Sequence, residues 1–136
     1  MARTALVVDD VGFVRKTLTK ILTDSNYQVI GEAEDGHTAV QLYKKLQPDV
    51  VTMDVVMPQM SGIEATRKIV QMDKGARIVI ISAMEQESII MEAINAGARD
   101  YVLKPFTVED IVKTLERVFV GDDQLVEKAM GKVHLR

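Results

Sequence analysis

No cysteine occurs in the 136 residues. Disulfides and thiolate metal sites are excluded, and a chain without thiols suits a reducing compartment. Aromatic residues are few: three Phe, three Tyr and no Trp. The 17 Lys and Arg are scattered, and the net charge is -3. A nucleic-acid surface needs a basic patch, and stacking on bases needs rings, so no nucleic-acid partner is expected. No segment approaches the ~20 apolar residues of a membrane helix. The apolar stretch in "MARTALVVDD" is too short for a signal-peptide core. The expectation is therefore no membrane association and a cytoplasmic location. No repeat or low-complexity tract appears, and the length fits one domain with a single buried core.

Short apolar runs alternate with segments of helical period. The runs are "ALVVD" (5–9), "QVIGEA" (28–33), "DVVTMD" (49–54), "RIVIIS" (77–82) and "DYVLK" (100–104). The first, third and fourth are continuously apolar and rich in Val and Ile, which predicts strands covered on both faces of a parallel sheet. Between them, Val14, Leu18, Ile21 and Leu22 form one helical stripe, as do Ala39, Val40, Tyr43 and Leu46. Ser61 with Glu64 reads as a capping box for a third helix. A fourth helix is predicted from about Glu85 to Ala96, stopping at Gly97. A fifth runs from Thr107 to about Val120, with Ile111, Leu115 and Val118 inward, and Gly121 is expected to break it. The pattern is (βα)5, a three-layer α/β sandwich with helices on both faces of the sheet. Residues 1–120 form the domain, and 121–136 form a C-terminal extension, a short helix or a linker.

In open α/β sheets, sites form outside the carboxyl ends of the strands. There the first strand brings Asp9 and Asp10, the third Asp54, the fourth Ser82 and the fifth Lys104. Two like charges 4 Å apart cost roughly 4 kcal/mol at an effective dielectric near 20. Three gathered carboxylates therefore call for protonation or a cation. Without Cys or ligand-spaced His, a hard, oxygen-seeking ion is favoured. Mg2+ fits, because it takes one or two carboxylates and accepts phosphate oxygens. A carboxylate can attack phosphorus to give an aspartyl phosphate. Lys104 and the cation would stabilise the charge that develops.

Four motifs then identify a family. "VVDD" (7–10), "MDVVMPQMSG" (53–62), "ISA" (81–83) and "KPF" (104–106) resemble, in order, the receiver domain of two-component response regulators. The resemblance implies a flavodoxin-like sheet of order 2-1-3-4-5, an order known for this family. It implies Asp54 as phosphoacceptor, and Asp9, Asp10, Asp54 and the Val56 carbonyl as Mg2+ ligands. It also implies Ser82 and Lys104 as phosphoryl contacts, a cis bond before Pro105, and Tyr101 as an aromatic that moves with Ser82. A histidine kinase would donate the phosphoryl group. The run 82–106 looks like the stand-alone, chemotaxis-type members. That implies a downstream target such as a flagellar motor switch protein, and possible action of a phosphatase. Ile90, Ile94 and Tyr101 are then expected on the partner surface of a monomer. The chain would catalyse only its own phosphorylation and dephosphorylation. Val56 and Met84 stand two residues after Asp54 and Ser82, where the family tunes loss of the phosphoryl group. Both are apolar, which predicts a long-lived phosphorylated state.

Simpler readings exist for each residue alone. Asp9 is a plausible N-cap, and Asp54 a plausible ion-paired strand end. Ser82 suits a turn, and Lys104 suits solvent. His37 and His134 lack ligand partners at metal spacing and read as surface residues. The eight Met residues read as core filler. Other functions also compete. One is a Mg2+-dependent phosphatase passing through an aspartyl phosphate, although Val56 stands where such enzymes place a second Asp. Another is a flavin carrier, although the loops lack a Ser/Thr/Gly-rich phosphate cradle. The chain could also be the receiver of a longer regulator.

Overall fold

Val and Ile runs build the central strands β1 (Arg3–Val8), β3 (Val50–Met53) and β4 (Ile78–Ser82) of a computed structural model that describes residues 2–131. Every residue of β3 and β4 is buried. The outer strands β2 (Tyr27–Ala33) and β5 (Asp100–Leu103) are partly exposed, as edge strands are. All pairings are parallel, in the order β2-β1-β3-β4-β5. This is the flavodoxin-like α/β sandwich expected from the sequence.

Alternate residues along each strand feed two separate cores. Leu6, Val8, Val51, Met53, Ile78 and Ile80 pack under α2 (Gly36–Leu46), α3 (Gly62–Met72) and α4 (Glu87–Ala96). Ala5, Val7, Val50, Val79, Ile81 and Val102 pack under α1 (Gly12–Asp24) and α5 (Val108–Gly131). The expected stripes face these cores: Leu18, Ile21 and Leu22 are buried in α1, and Ile111, Leu115 and Val118 in α5.

Local signals place the helix ends. The Ser61 hydroxyl accepts the Glu64 N–H at 3.1 Å, which caps α3. The Glu64 carboxylate turns to Arg67 at 3.0 Å, so the reciprocal half of the capping box is not what occupies it. Gly97 ends α4 in the left-handed region, at φ 115°. A β-carbon there would also press on Val70 at 2.7 Å.

Two expectations and one of the simpler readings need correction. Gly121 does not break the fifth helix, because α5 continues to Gly131. One interior Gly costs only about 1 kcal/mol relative to Ala, which helical neighbours can absorb. The end of the extension, residues 132–136 including His134, lies outside the described residues. Asp9 does not cap α1, whose N-cap is Val11 with no side-chain bond. Nor are all the methionines core filler: Met53 is fully buried, but Met72 and Met91 are about half exposed. No helix among the described residues is long and apolar enough to cross a membrane.

Candidate functional site

The strand order reverses beside β1: β2 lies on one side and β3 on the other. That switch point opens a crevice at the carboxyl ends of β1 and β3. Asp9 follows β1 and Asp54 follows β3. Their backbones extend the sheet, with Asp9 N–H donating to Ala33 O and Asp54 N–H to Val8 O, both at 3.0 Å. Sheet geometry therefore aims both carboxylates at one edge. Asp9 is 1% exposed and Asp54 8%. Asp10, one residue on, is exposed. Carboxylate oxygens of Asp9, Asp10 and Asp54 all lie within 4.8 Å of one another.

Lys104 is shared between two of these acids. Its Nζ donates to Asp9 Oδ2 at 2.9 Å and to Asp54 Oδ2 at 3.4 Å. The Lys104 backbone N–H donates to Ser82 O at 2.9 Å, which ties the end of β5 to the end of β4. The Lys104–Pro105 peptide is cis. Burial pushes the Asp54 carboxyl above the usual carboxylate range, and the nearby Asp9 charge pushes the same way. Lys104 and the Val55 N–H oppose that rise without cancelling it. Burial also works against charge on Lys104, but the Asp9 and Asp54 carboxylates more than offset it and hold the ammonium above its ordinary value.

The Asp54 side chain has a defined orientation. Its Oδ1 accepts the Val55 N–H at 2.7 Å, and Oδ2 faces Lys104. Gly62 makes room behind it: a β-carbon there would stand 1.7 Å from Asp54 O. The Gly62 N–H donates to Val55 O at 2.8 Å, so the loop after β3 rests directly on the start of α3. Gly36 at the start of α2 supports the far end of this loop by donating to Met60 O at 2.9 Å. Neither glycine had been singled out from the sequence. The "SG" that ends the second motif is the available signal for Gly62.

Ser82 is 1% exposed, and its hydroxyl accepts the Met84 N–H at 3.1 Å. The Tyr101 hydroxyl donates to Met84 O at 2.7 Å, and its ring packs on the core under α4. Burial raises the Tyr101 phenol above its ordinary value; a hydrogen bond with Ser82 works the other way, and the Asp54 charge adds to the rise. The Met84 backbone is thus held at its N–H by Ser82 and at its carbonyl by Tyr101. Val56, two residues beyond Asp54, is 62% exposed. Ile94 is exposed on α4 and Ile90 is half-buried, both away from the acids in sequence and in element.

The donor set suits a hard divalent cation. Oxygens bound about 2.1 Å from one ion stand roughly 3 to 4 Å apart. Separations within 4.8 Å come to that with a small closing movement. Three carboxylates against one lysine also leave the crevice net negative.

The fold and this crevice define a class, and the chain belongs to the response regulator receiver domain family, which matches residues 5–116. Such domains are signal transducers of two-component systems. The chemotaxis protein CheY of Thermotoga maritima is 46% identical over 118 residues, 87% of this chain and 98% of that protein. CheY of Bacillus subtilis is 44% identical over 117 residues, 86% of this chain and 98% of that one. Among solved structures, the CheX–CheY–BeF3–Mg2+ complex from Borrelia burgdorferi superposes with a TM-score of 0.84 at 35% identity. That match covers 86% of this chain and 89% of the other.

Proposed function

We propose that the protein is a phosphorylation-controlled signalling switch in which Asp54 takes a phosphoryl group from a histidine kinase in a Mg2+-dependent reaction. The observation that carries this reading is the convergence of Asp9, Asp10, Asp54 and Lys104 at one sheet edge, with Ser82 beside them. Asp54 Oδ2 is the nucleophile, since Oδ1 is engaged by the Val55 N–H. The new O–P bond forms as the P–N bond of the phosphohistidine breaks, and the imidazole keeps the electron pair. A bound Mg2+ supplies neutralisation of the phosphoryl oxygens. Asp9, Asp10, Asp54 and the Val56 carbonyl would hold it. Lys104 supplies the second positive charge and already stands beside the acceptor oxygen.

The output follows from the Met84 backbone. Ser82 turning to the phosphoryl group releases the Met84 N–H, and Tyr101 is bound to the carbonyl of the same residue. That makes the β4–α4 segment a two-state element biased by charge at Asp54. Partner binding on the face carrying Ile90, Ile94 and Tyr101 changes with it. The similarity to chemotaxis proteins supports a role in chemotaxis. The target we infer is a flagellar motor switch protein, with a phosphatase ending the signal. The protein works in the cytoplasm as a monomer, with residues 1–120 as receiver and 121–136 as extension. It turns over no outside substrate: Val56 provides no side-chain base for an attacking water. The test is incubation with acetyl phosphate with and without Mg2+, followed by intact mass. One added phosphoryl group is expected, dependent on Mg2+ and absent in Asp54→Asn. Equal modification of the variant would falsify the assignment.

A further inference from the structure

Asp9 is fixed at four points. Its N–H donates to Ala33 O at 3.0 Å, its Oδ1 accepts the Val11 N–H at 2.9 Å, and its Oδ2 accepts from Lys104 at 2.9 Å. The fourth is its carbonyl oxygen, which accepts from Arg15 Nη1 at 2.8 Å. Arg15 Nε in turn pairs with Glu32 Oε1 on β2 at 2.9 Å. The Arg15 side chain is 18% exposed and Glu32 47%. The carbonyl matters because it belongs to the planar peptide joining Asp9 to Asp10. Fixing that plane fixes the direction in which Asp10 leaves the strand.

We propose that Arg15 is a positioning residue for the acidic crevice: a guanidinium strut, braced on Glu32, that sets the Asp9–Asp10 peptide and so the spacing of the carboxylates that hold a divalent cation. This rests on the Mg2+ reading given above. A planar guanidinium can serve both partners at once from different nitrogens, which a lysine ammonium on a flexible stem does less well. Groups that orient metal ligands typically matter about 10- to 100-fold in affinity.

The sign of the effect separates this role from simple electrostatics. Arg15 is a cation next to a cation site. By charge alone, removing it tightens Mg2+ binding. By positioning, removing it weakens binding. Mg2+ affinity of the unphosphorylated protein is measured by calorimetry, with melting in EDTA as the check on folding. Arg15→Met keeps the apolar stem and is expected to bind Mg2+ roughly tenfold more weakly. Arg15→Lys keeps the charge and is expected to fall between Met and wild type. Glu32→Ala is expected to weaken binding in the wild-type background but not further in Arg15→Met, because Glu32 acts through Arg15. Equal or tighter binding by Arg15→Met overturns the proposal, as does an undiminished Glu32 effect in its absence. Should Arg15→Met fail to fold, wild-type affinity in a folded Arg15→Lys overturns it instead. A wild-type protein that binds no Mg2+, with Asp10→Asn indistinguishable from it, overturns the metal reading rather than the strut.

Discussion

Asp54→Asn removes one charge from a crowded pocket while keeping the side-chain shape. At an effective dielectric near 20, the loss of attraction to Lys104 at 3.4 Å is about 5 kcal/mol. Against it stand two repulsions, from Asp9 and Asp10, each at least about 3.5 kcal/mol at separations within 4.8 Å. Solvent screens the exposed Asp10, which brings these electrostatic contributions close to balance. Burial of a carboxylate then tips the sum, because the 8% exposed Asp54 has lost most of its hydration. The variant should be more stable than wild type by about 1–2 kcal/mol in low salt with EDTA, or roughly 3–6 °C in melting temperature. The pH dependence has a definite sign. Because burial raises the Asp54 pKa in the folded state, the folded protein binds more protons than the unfolded one. The penalty is absent below the unfolded value near 4 and grows as pH rises through the folded value. The advantage of Asn should therefore vanish in acid. Adding Mg2+ should also reverse it, since saturation at about 100 times Kd stabilises the wild type by roughly 2.7 kcal/mol. Melting by circular dichroism at several pH values, with EDTA or Mg2+, measures all three. An Asn variant less stable than wild type in EDTA at neutral pH would refute the reasoning, because the Lys104 pair would then outweigh repulsion and burial.

Thr52 lies on β3 with Val7 and Val79 as its strand partners, and its buried hydroxyl has no hydrogen-bond partner among the described residues. Thr52→Val should therefore stabilise the fold by about 1 kcal/mol in urea unfolding; a loss of stability would mean the hydroxyl is satisfied. Gly62→Ala places a β-carbon 1.7 Å from Asp54 O. It should cost roughly 3 kcal/mol or more and impair labelling by acetyl phosphate. At Gly75 the nearest contact is a side-chain oxygen at 3.4 Å, so Gly75→Ala is the tolerated control. Val56→Asn should shorten the lifetime of the phosphorylated state, because an amide two residues beyond Asp54 can hold an attacking water. Decay of isolated phosphoprotein measures this, and an unchanged rate would remove Val56 from any part in timing.

The strands were legible because burial on both faces favours short runs that are almost wholly apolar and rich in Val and Ile. β3 and β4 show this directly, since every side chain in them is buried. Helix stripes were legible for the same reason at a period of 3.6. Helix ends were less so. An N-cap has a residue signature only when a side chain does the capping. Ser61 does so, but Val11 does not. Gly121 misled because a Gly can be carried inside a helix at small cost, and α5 carries it.

The convergence of the polar residues at the crevice was legible because each sits at the end of a strand, where a polar residue interrupts an apolar run. What joins them was not. Nothing in the spacing of Asp9, Asp54 and Lys104 says that one ammonium serves two carboxylates at 2.9 and 3.4 Å. Nor does the chain order say that Glu32, at the far side of β1, reaches Asp9 through Arg15. These contacts depend on register and loop height, which are fixed only when the sheet is assembled. The supporting residues therefore look ordinary alone: an arginine on a helix, a glycine after a serine. Their importance arises because an excess of negative charge must be held together against its own repulsion. A pocket under that tension needs fixed walls as much as it needs carboxylates. Gly62 lets the Asp54 loop sit hard against α3, while the Asp9–Asp10 peptide takes its bearing from Arg15.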